Sequence, residues 1–254
     1  KGRVRSMEAV AITLDIDWSP DFVIDHVAGL LAAAQVPATW FVTHASPAVD
    51  RLRQRPDLFE LGVHPNLMAG STHGDTPDAV LAHMCALVPE AVSLRTHALV
   101  QSTPLFARVV QQTPWVNDVS LFLPYVPHLR PVAFRVGGGV LCRLPCFWSD
   151  AQEMSQPQPD WRVAEGWLEM PGLKVFAFHP IHIALNSGNV GAYEALKRQV
   201  PQLDQAQVQD VDRLAQHALG TRTAFLGLLE HLAGDARMGT IREHGERWRE
   251  EFSE

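Results

Sequence analysis

One repeated unit constrains this chain more than anything else in it. A short, unbroken apolar run ends on a polar residue, and an amphipathic stretch follows. AVAITLDID (9–17) leads into SPDFVIDHVAGLLAAAQ (19–35), ATWFVTH (38–44) into AVDRLRQRP (48–56), and LFELGVH (58–64) through a loop into TPDAVLAHMCALV (76–88). VSLRTHALV (92–100) and TPLFARVVQQ (103–112) continue the pattern. Continuous apolar runs of this length read as strands covered on both faces, and apolar spacing at 3.6 reads as helices. WVNDVSLFLP, PVAFRV, VLCRLPCFW and LKVFAFHPIHI read as later strands, and VQDVDRLAQHALG and TRTAFLGLLEHLAG as late helices. Such alternation predicts an α/β chain with a mostly parallel sheet and helical crossovers. In a (β/α) barrel the strand C-termini meet at one mouth. Polar residues sit at that end here: Asp15 and Asp17, His44, His64, Arg95 and His97, Asp118, and His179 and His182. The 254 residues fit one domain spanning 1–254.

Composition narrows the function classes. A formal net charge of −7 argues against a nucleic-acid surface, which needs clustered Lys and Arg. No apolar stretch is long enough for a membrane span, because FVIDHVAGLLAAAQV carries Asp25 and His26 and precedes Pro37. KGRVRSMEAV has no apolar signal core. Three cysteines, Cys85, Cys142 and Cys146, make an odd set without a CxxC pair. A reducing, cytoplasmic compartment is the expectation.

TLDIDW (13–18) poses the sharpest chemical question, because two carboxylates stand two residues apart at the end of a core strand. Strand alternation would turn both to one face. Like charges so placed need a cation, a proton or a shared donor to offset them. The other reading is a helix-capping acid beside a solvated one.

TLDIDW, ATWFVT (38–43), LGVHPN (61–66), SLRTH (93–97), NDVSLF (117–122) and FHPIHI (178–183) occur in an order that resembles the polysaccharide deacetylases, the family of the NodB homology domain. Within it the chain is similar to the deacetylase-like proteins of bacterial O-antigen biosynthesis. The resemblance implies a distorted, incomplete (β/α) barrel, commonly of seven strands, here with extra C-terminal helices. It implies hydrolysis of an acetyl group from an acetylated sugar or glycan with a divalent metal, Zn2+ first among candidates. Two His and one Asp also suit cobalt, nickel or iron.

Carried over residue by residue, the resemblance makes Asp15 the base and Asp17 a metal ligand, with Ile16 between acids that the family places side by side. His64 becomes the second ligand. The family's next histidine falls at Met68, whose thioether is a poor ligand for such a metal. His73 is therefore the expected third ligand, with Asn66 as an alternative. Arg95 corresponds to the arginine that orients the base, expected as a bidentate partner of Asp15. His179 corresponds to the general acid. His97, Asp118, His182 and Trp148 are expected as substrate contacts or supports of the site; a turn role for Asp118 and a core role for Trp148 stay open. Backbone N–H groups after His97 or near Trp18 are candidate oxyanion donors. Two rival functions remain: a catalytically degenerate sugar-binding domain, and a barrel glycoside hydrolase using Asp15 and Glu60.

Overall fold

The computed structural model describes residues 8–253. In chain order its elements are β1 (Val10–Asp15), α1 (Asp21–Ala34), β2 (Ala38–Val42), α2 (Pro47–Arg53), β3 (Phe59–Val63), α3 (Pro77–Leu87), β4 (Ser93–Leu94), α4 (Thr103–Gln112), β5 (Asn117–Asp118), β6 (Val132–Val136) and β7 (Gly139–Arg143). There follow β8 (Cys146–Ser149), α5 (Asp150–Met154), α6 (Ala164–Trp167), β9 (Lys174–Phe178), α7 (Pro180–Leu185), α8 (Gly191–Gln199), α9 (Val208–Leu214), α10 (Thr221–Leu232) and α11 (Ile241–Ser253).

Nine strands, among the described residues, form one sheet in the order β6-β7-β5-β4-β3-β2-β1-β9-β8, rather than the seven expected. All pairings are parallel except the β6–β7 hairpin at one edge. β1, β2, β3 and β9 are buried at every position, as unbroken apolar runs covered on both faces should be. The named strands do not close into a ring. Instead, residues 121–125 beyond β5 cross to the β8 edge, where Cys146 donates to the Leu121 carbonyl at 2.7 Å and Leu123 to the Cys146 carbonyl at 2.9 Å. The result is an open, distorted (β/α) barrel.

Local chemistry explains most helix starts. Ser46, Thr76 and Ser102 each accept a backbone N–H three residues on, ahead of a Pro in the first turn. α1 starts differently: Pro20 stands at its N-cap, and the Ser19 hydroxyl makes no capping bond. Gly62 is required by its neighbours, since a Cβ there would lie 2.8 Å from the Phe41 ring and from the Ser93 carbonyl.

The barrel floor, at the strand N-termini, is closed by α11. Glu60 accepts Ser93 Oγ at 2.6 Å, Thr39 Oγ1 at 2.8 Å and the Arg242 backbone N–H at 2.8 Å. The Thr39 hydroxyl accepts the Ile241 N–H at 2.9 Å. Side chains of β2 and β3 thus satisfy the first N–H groups of α11. Glu60 therefore lies at the opposite end from the mouth, and the glycoside-hydrolase arrangement pairing it with Asp15 is not present.

Candidate active site

β1 ends at Asp15, and the chain then turns through two left-handed residues, Asp17 (φ 38°) and Trp18 (φ 55°). Asp15 and Asp17 do share one face, but the turn causes this rather than the strand alternation expected. Non-glycine residues rarely adopt this region, and it costs roughly 1–2 kcal/mol each. The turn is held by Ser19 N–H on the Ile16 carbonyl at 2.7 Å and by Trp18 N–H on Thr43 Oγ1 at 3.1 Å. The Trp18 N–H is thereby spent and offers no oxyanion donor.

Arg95 is almost wholly buried beneath the pair. Nη1 donates to Asp15 Oδ1 at 2.8 Å, Nη2 to Thr13 Oγ1 at 2.8 Å, and Nε to the Val119 carbonyl at 3.3 Å. The expected bidentate fork is thus divided between Asp15 and Thr13. The guanidinium also lies over the Phe41 ring, 4.7 Å from its centre.

Asp17 Oδ1, His64 Nε2 and His97 Nδ1 form a nearly equilateral triangle with sides of 3.2, 3.3 and 3.4 Å. Three donors around one tetrahedral ion at about 2.0–2.1 Å stand about 3.3–3.4 Å apart. Asp17 Oδ1 is buried, yet it accepts no well-directed hydrogen bond from either ring. His64 Nδ1 contacts the Arg95 carbonyl at 2.7 Å, which turns Nε2 toward Asp17. Burial opposes charge on Asp17, but the nearby His64 and His97 rings hold its carboxyl well below the usual range. Burial likewise disfavours a charged His64, yet Asp15 and Asp17 raise its pKa. The cluster attracts positive charge to its centre, and among the described residues these three form the metal-sized group.

His73 is not part of it. Its Nε2 bonds the Thr43 carbonyl at 2.7 Å, and its Nδ1 accepts the Asn66 N–H at 3.0 Å. Both ring nitrogens are spent on backbone, which folds the β3–α3 loop and leaves no lone pair for an ion. The Asn66 side-chain oxygen accepts Met68 N–H at 3.0 Å and is likewise engaged. Met68 is half exposed. His97, expected as a substrate contact or a support of the site, stands where the third ligand was sought.

His179 follows β9 directly and faces the two acids. Its Nε2 lies 3.6 Å from Asp17 Oδ2 and 3.9 Å from Asp15 Oδ2. Asp150, fully buried at the start of α5, takes the His179 backbone N–H on Oδ2 and meets Nδ1 with Oδ1, both at 2.7 Å. Burial works against a charged ring, but Asp150, with smaller help from Asp17 and Asp15, pushes its pKa up to about 10. Asp150 escaped sequence reasoning, although it ends the apolar run CFWSD just as Asp15 and His64 end theirs.

Asp118, Trp148 and His182, expected as substrate contacts or supports, do not line the cavity between these groups. Asp118 pairs with Arg143 at 2.6 Å and takes the Ser120 N–H at 3.0 Å. Trp148 is core, packed on Phe178 and donating to Glu153 at 3.1 Å. His182 belongs to α7, because Pro180 ends the strand run and starts a helix; it is buried edge-on between His179 and Tyr193. Asp15, Asp17, His64, Arg95, His97 and His179 line a cavity of about 350 Å3. Ala98, Leu99, Phe122 and Ala151 give it an apolar wall. The volume is at the small end for pockets that hold a small organic molecule.

The architecture, with its mouth at the strand C-termini, is that of the polysaccharide deacetylases. The chain belongs to the WbmS-like polysaccharide deacetylase family, whose sequence profile matches residues 12–197. It is similar to a Bordetella bronchiseptica protein assigned as a polysaccharide deacetylase involved in O-antigen biosynthesis. Identity is 31% over 89% of this chain and 91% of that one, with a TM-score of 0.74. A Mycobacterium smegmatis protein assigned as a polysaccharide deacetylase shares the fold at 17% identity, over 99% and 93% of the two chains, with a TM-score of 0.62. Comparison with curated proteins returns no match.

Proposed function

We propose that this protein removes the acetyl group of an N-acetylated sugar or glycan precursor by metal-assisted hydrolysis, in the assembly of a surface polysaccharide such as O-antigen. The observation that carries this reading is the triangle of Asp17, His64 and His97 donors standing beside an arginine-held Asp15 and an aspartate-held His179. Two imidazoles and a carboxylate make an open, three-ligand site that suits Zn2+. When bound there, a divalent cation supplies Lewis-acid activation of the acetyl carbonyl and of the attacking water. Asp15, its Oδ1 fixed by Arg95, takes the proton from that water. His179, on the other side of the acids, donates a proton to the departing sugar nitrogen, so that acetate and a free amine leave. The apolar wall of Leu99 and Phe122 is suited to an acetyl methyl group. The reading includes a cytoplasmic site of action, supported by three free thiols. No described helix is long and apolar enough to cross a membrane.

Acetate release from acetylated amino sugars, measured on protein reconstituted with Zn2+ and on chelated protein, tests the proposal. Asp17→Ala and His97→Ala should each lose bound metal and activity, whereas His73→Gln should keep near-stoichiometric metal. Full activity in chelated protein would contradict metal assistance. Sugar binding with neither metal nor acetate release would leave the recognition-domain reading in its place.

A further inference from the structure

His97 reaches the cluster from an unusual backbone. The two residues after it, Ala98 and Leu99, are both left-handed at φ 54°. Consecutive non-glycine residues in this region persist only when their surroundings fix them. The near end of the turn is tied to Ser120: its Oγ accepts the Thr96 N–H at 3.0 Å. The turn's own bonds are Leu99 N–H to the Thr96 carbonyl at 3.0 Å and Val100 N–H to the His97 carbonyl at 3.4 Å. The far end is tied by one exposed side chain. Gln101 Nε2 donates to the Leu99 carbonyl at 3.4 Å and to the Ser120 carbonyl at 3.1 Å. Its Oε1 accepts Arg143 Nη2 at 2.6 Å. Arg143 is itself fixed by buried Asp118 at 2.6 Å, and its guanidinium lies 4.8 Å from the Phe106 ring centre. Both ends of the turn are thus fastened to Ser120, and the second fastening is anchored in β5 and β7.

We infer that Gln101 is a positioning residue: it clamps the left-handed turn at Ala98–Leu99 and so aims His97 Nδ1 at Asp17 and His64. The inference rests on the metal reading above and extends it to a residue that touches neither ion nor substrate. Partners that orient a metal ligand typically contribute 10–100-fold to affinity. Gln101 acts one step further away, through backbone, which argues for the lower end of that range.

The test is the Zn2+ dissociation constant of the full chain in metal buffers, read beside its melting temperature. Gln101→Met removes the donors and the acceptor at a surface position without stranding buried Asp118. It should weaken Zn2+ binding about tenfold while the melting temperature stays near that of wild type. Gln101→Glu keeps an acceptor for Arg143 but cannot donate to Leu99 or Ser120, and should lose affinity to a similar degree. Ala98→Gly makes the left-handed conformation cheap, so adding it to Gln101→Met should restore most of the affinity. A purely structural role for Gln101 would not produce that rescue. Wild-type affinity in Gln101→Met or Gln101→Glu, or a loss that Ala98→Gly leaves unchanged, overturns the inference. A wild-type chain that takes up no Zn2+ removes the metal reading itself, and the role of Gln101 with it.

Discussion

His179 is gripped twice by one carboxylate, through its backbone N–H and through its ring. A surface histidine titrates near 6.5 and is mostly neutral at pH 7. Paired with Asp150, this ring holds its proton up to about pH 10, as the proposed general acid requires. Asp150→Asn removes the charge while the burial remains, so the His179 pKa should fall. The alkaline limb of the kcat/KM profile should move to lower pH, and activity at pH 8 should drop about 100-fold. A profile that does not move would show that Asp150 only shapes the loop. At this scale the sequence exposed residues whose role follows from position in a strand. Asp15, Asp17, His64, Arg95 and His179 all line the cavity. It misled where the role depends on a turn. His97 and His73 both follow a strand, and only the left-handed backbone at Ala98 and the Asn66–His73 bond separate donor from clip.

Elements show the same division. Long apolar runs such as β1, β2, β3 and β9 could be read directly, because their burial leaves a pattern. β4 and β5 could be read in the right places but come out too long: each keeps only two paired residues of its run. In both cases the chain leaves the sheet to build the site, at Arg95–Leu99 and at residues 119–125. LKVFAFHPIHI looked like one strand, yet Pro180 begins α7. α11 is one of the extra C-terminal helices expected, but its charged sequence does not show that the barrel floor receives it. Its start depends on Glu60, whose pKa burial raises despite the donors around it. Glu60→Ala strands the Ser93 hydroxyl and uncaps the Arg242 N–H. The expected cost is about 1–3 kcal/mol, read as a lower urea midpoint. Acetate release per folded molecule should be unchanged, because Glu60 lies at the end away from the mouth.

For the whole molecule, the buried histidines set a stability window in the metal-free protein. Burial, with His179 adding to it against Asp150 and Asp17, lowers the His182 pKa to about 4; burial also lowers that of His244. Above pH 6.5 neither residue distinguishes the folded from the unfolded chain. Below it, the unfolded chain takes up protons that the native state refuses, so stability falls as pH drops toward 4. His182 alone accounts for about 2 kcal/mol at pH 5. His179 acts in the opposite sense: its raised pKa stabilises the native state fully below pH 6.5, and that contribution is lost as pH rises toward 10. Melting temperatures should therefore peak near neutrality and decline on both sides. A curve still rising from pH 7 to pH 9 would contradict the assignment of His179. Asp15 and Arg95 stand 80 residues apart in sequence and meet only across β1, β2, β3 and β4 laid side by side. Helices can form locally in a half-assembled chain, but this pair cannot. Turnover per molecule therefore reports completed topology in a way that helical content does not.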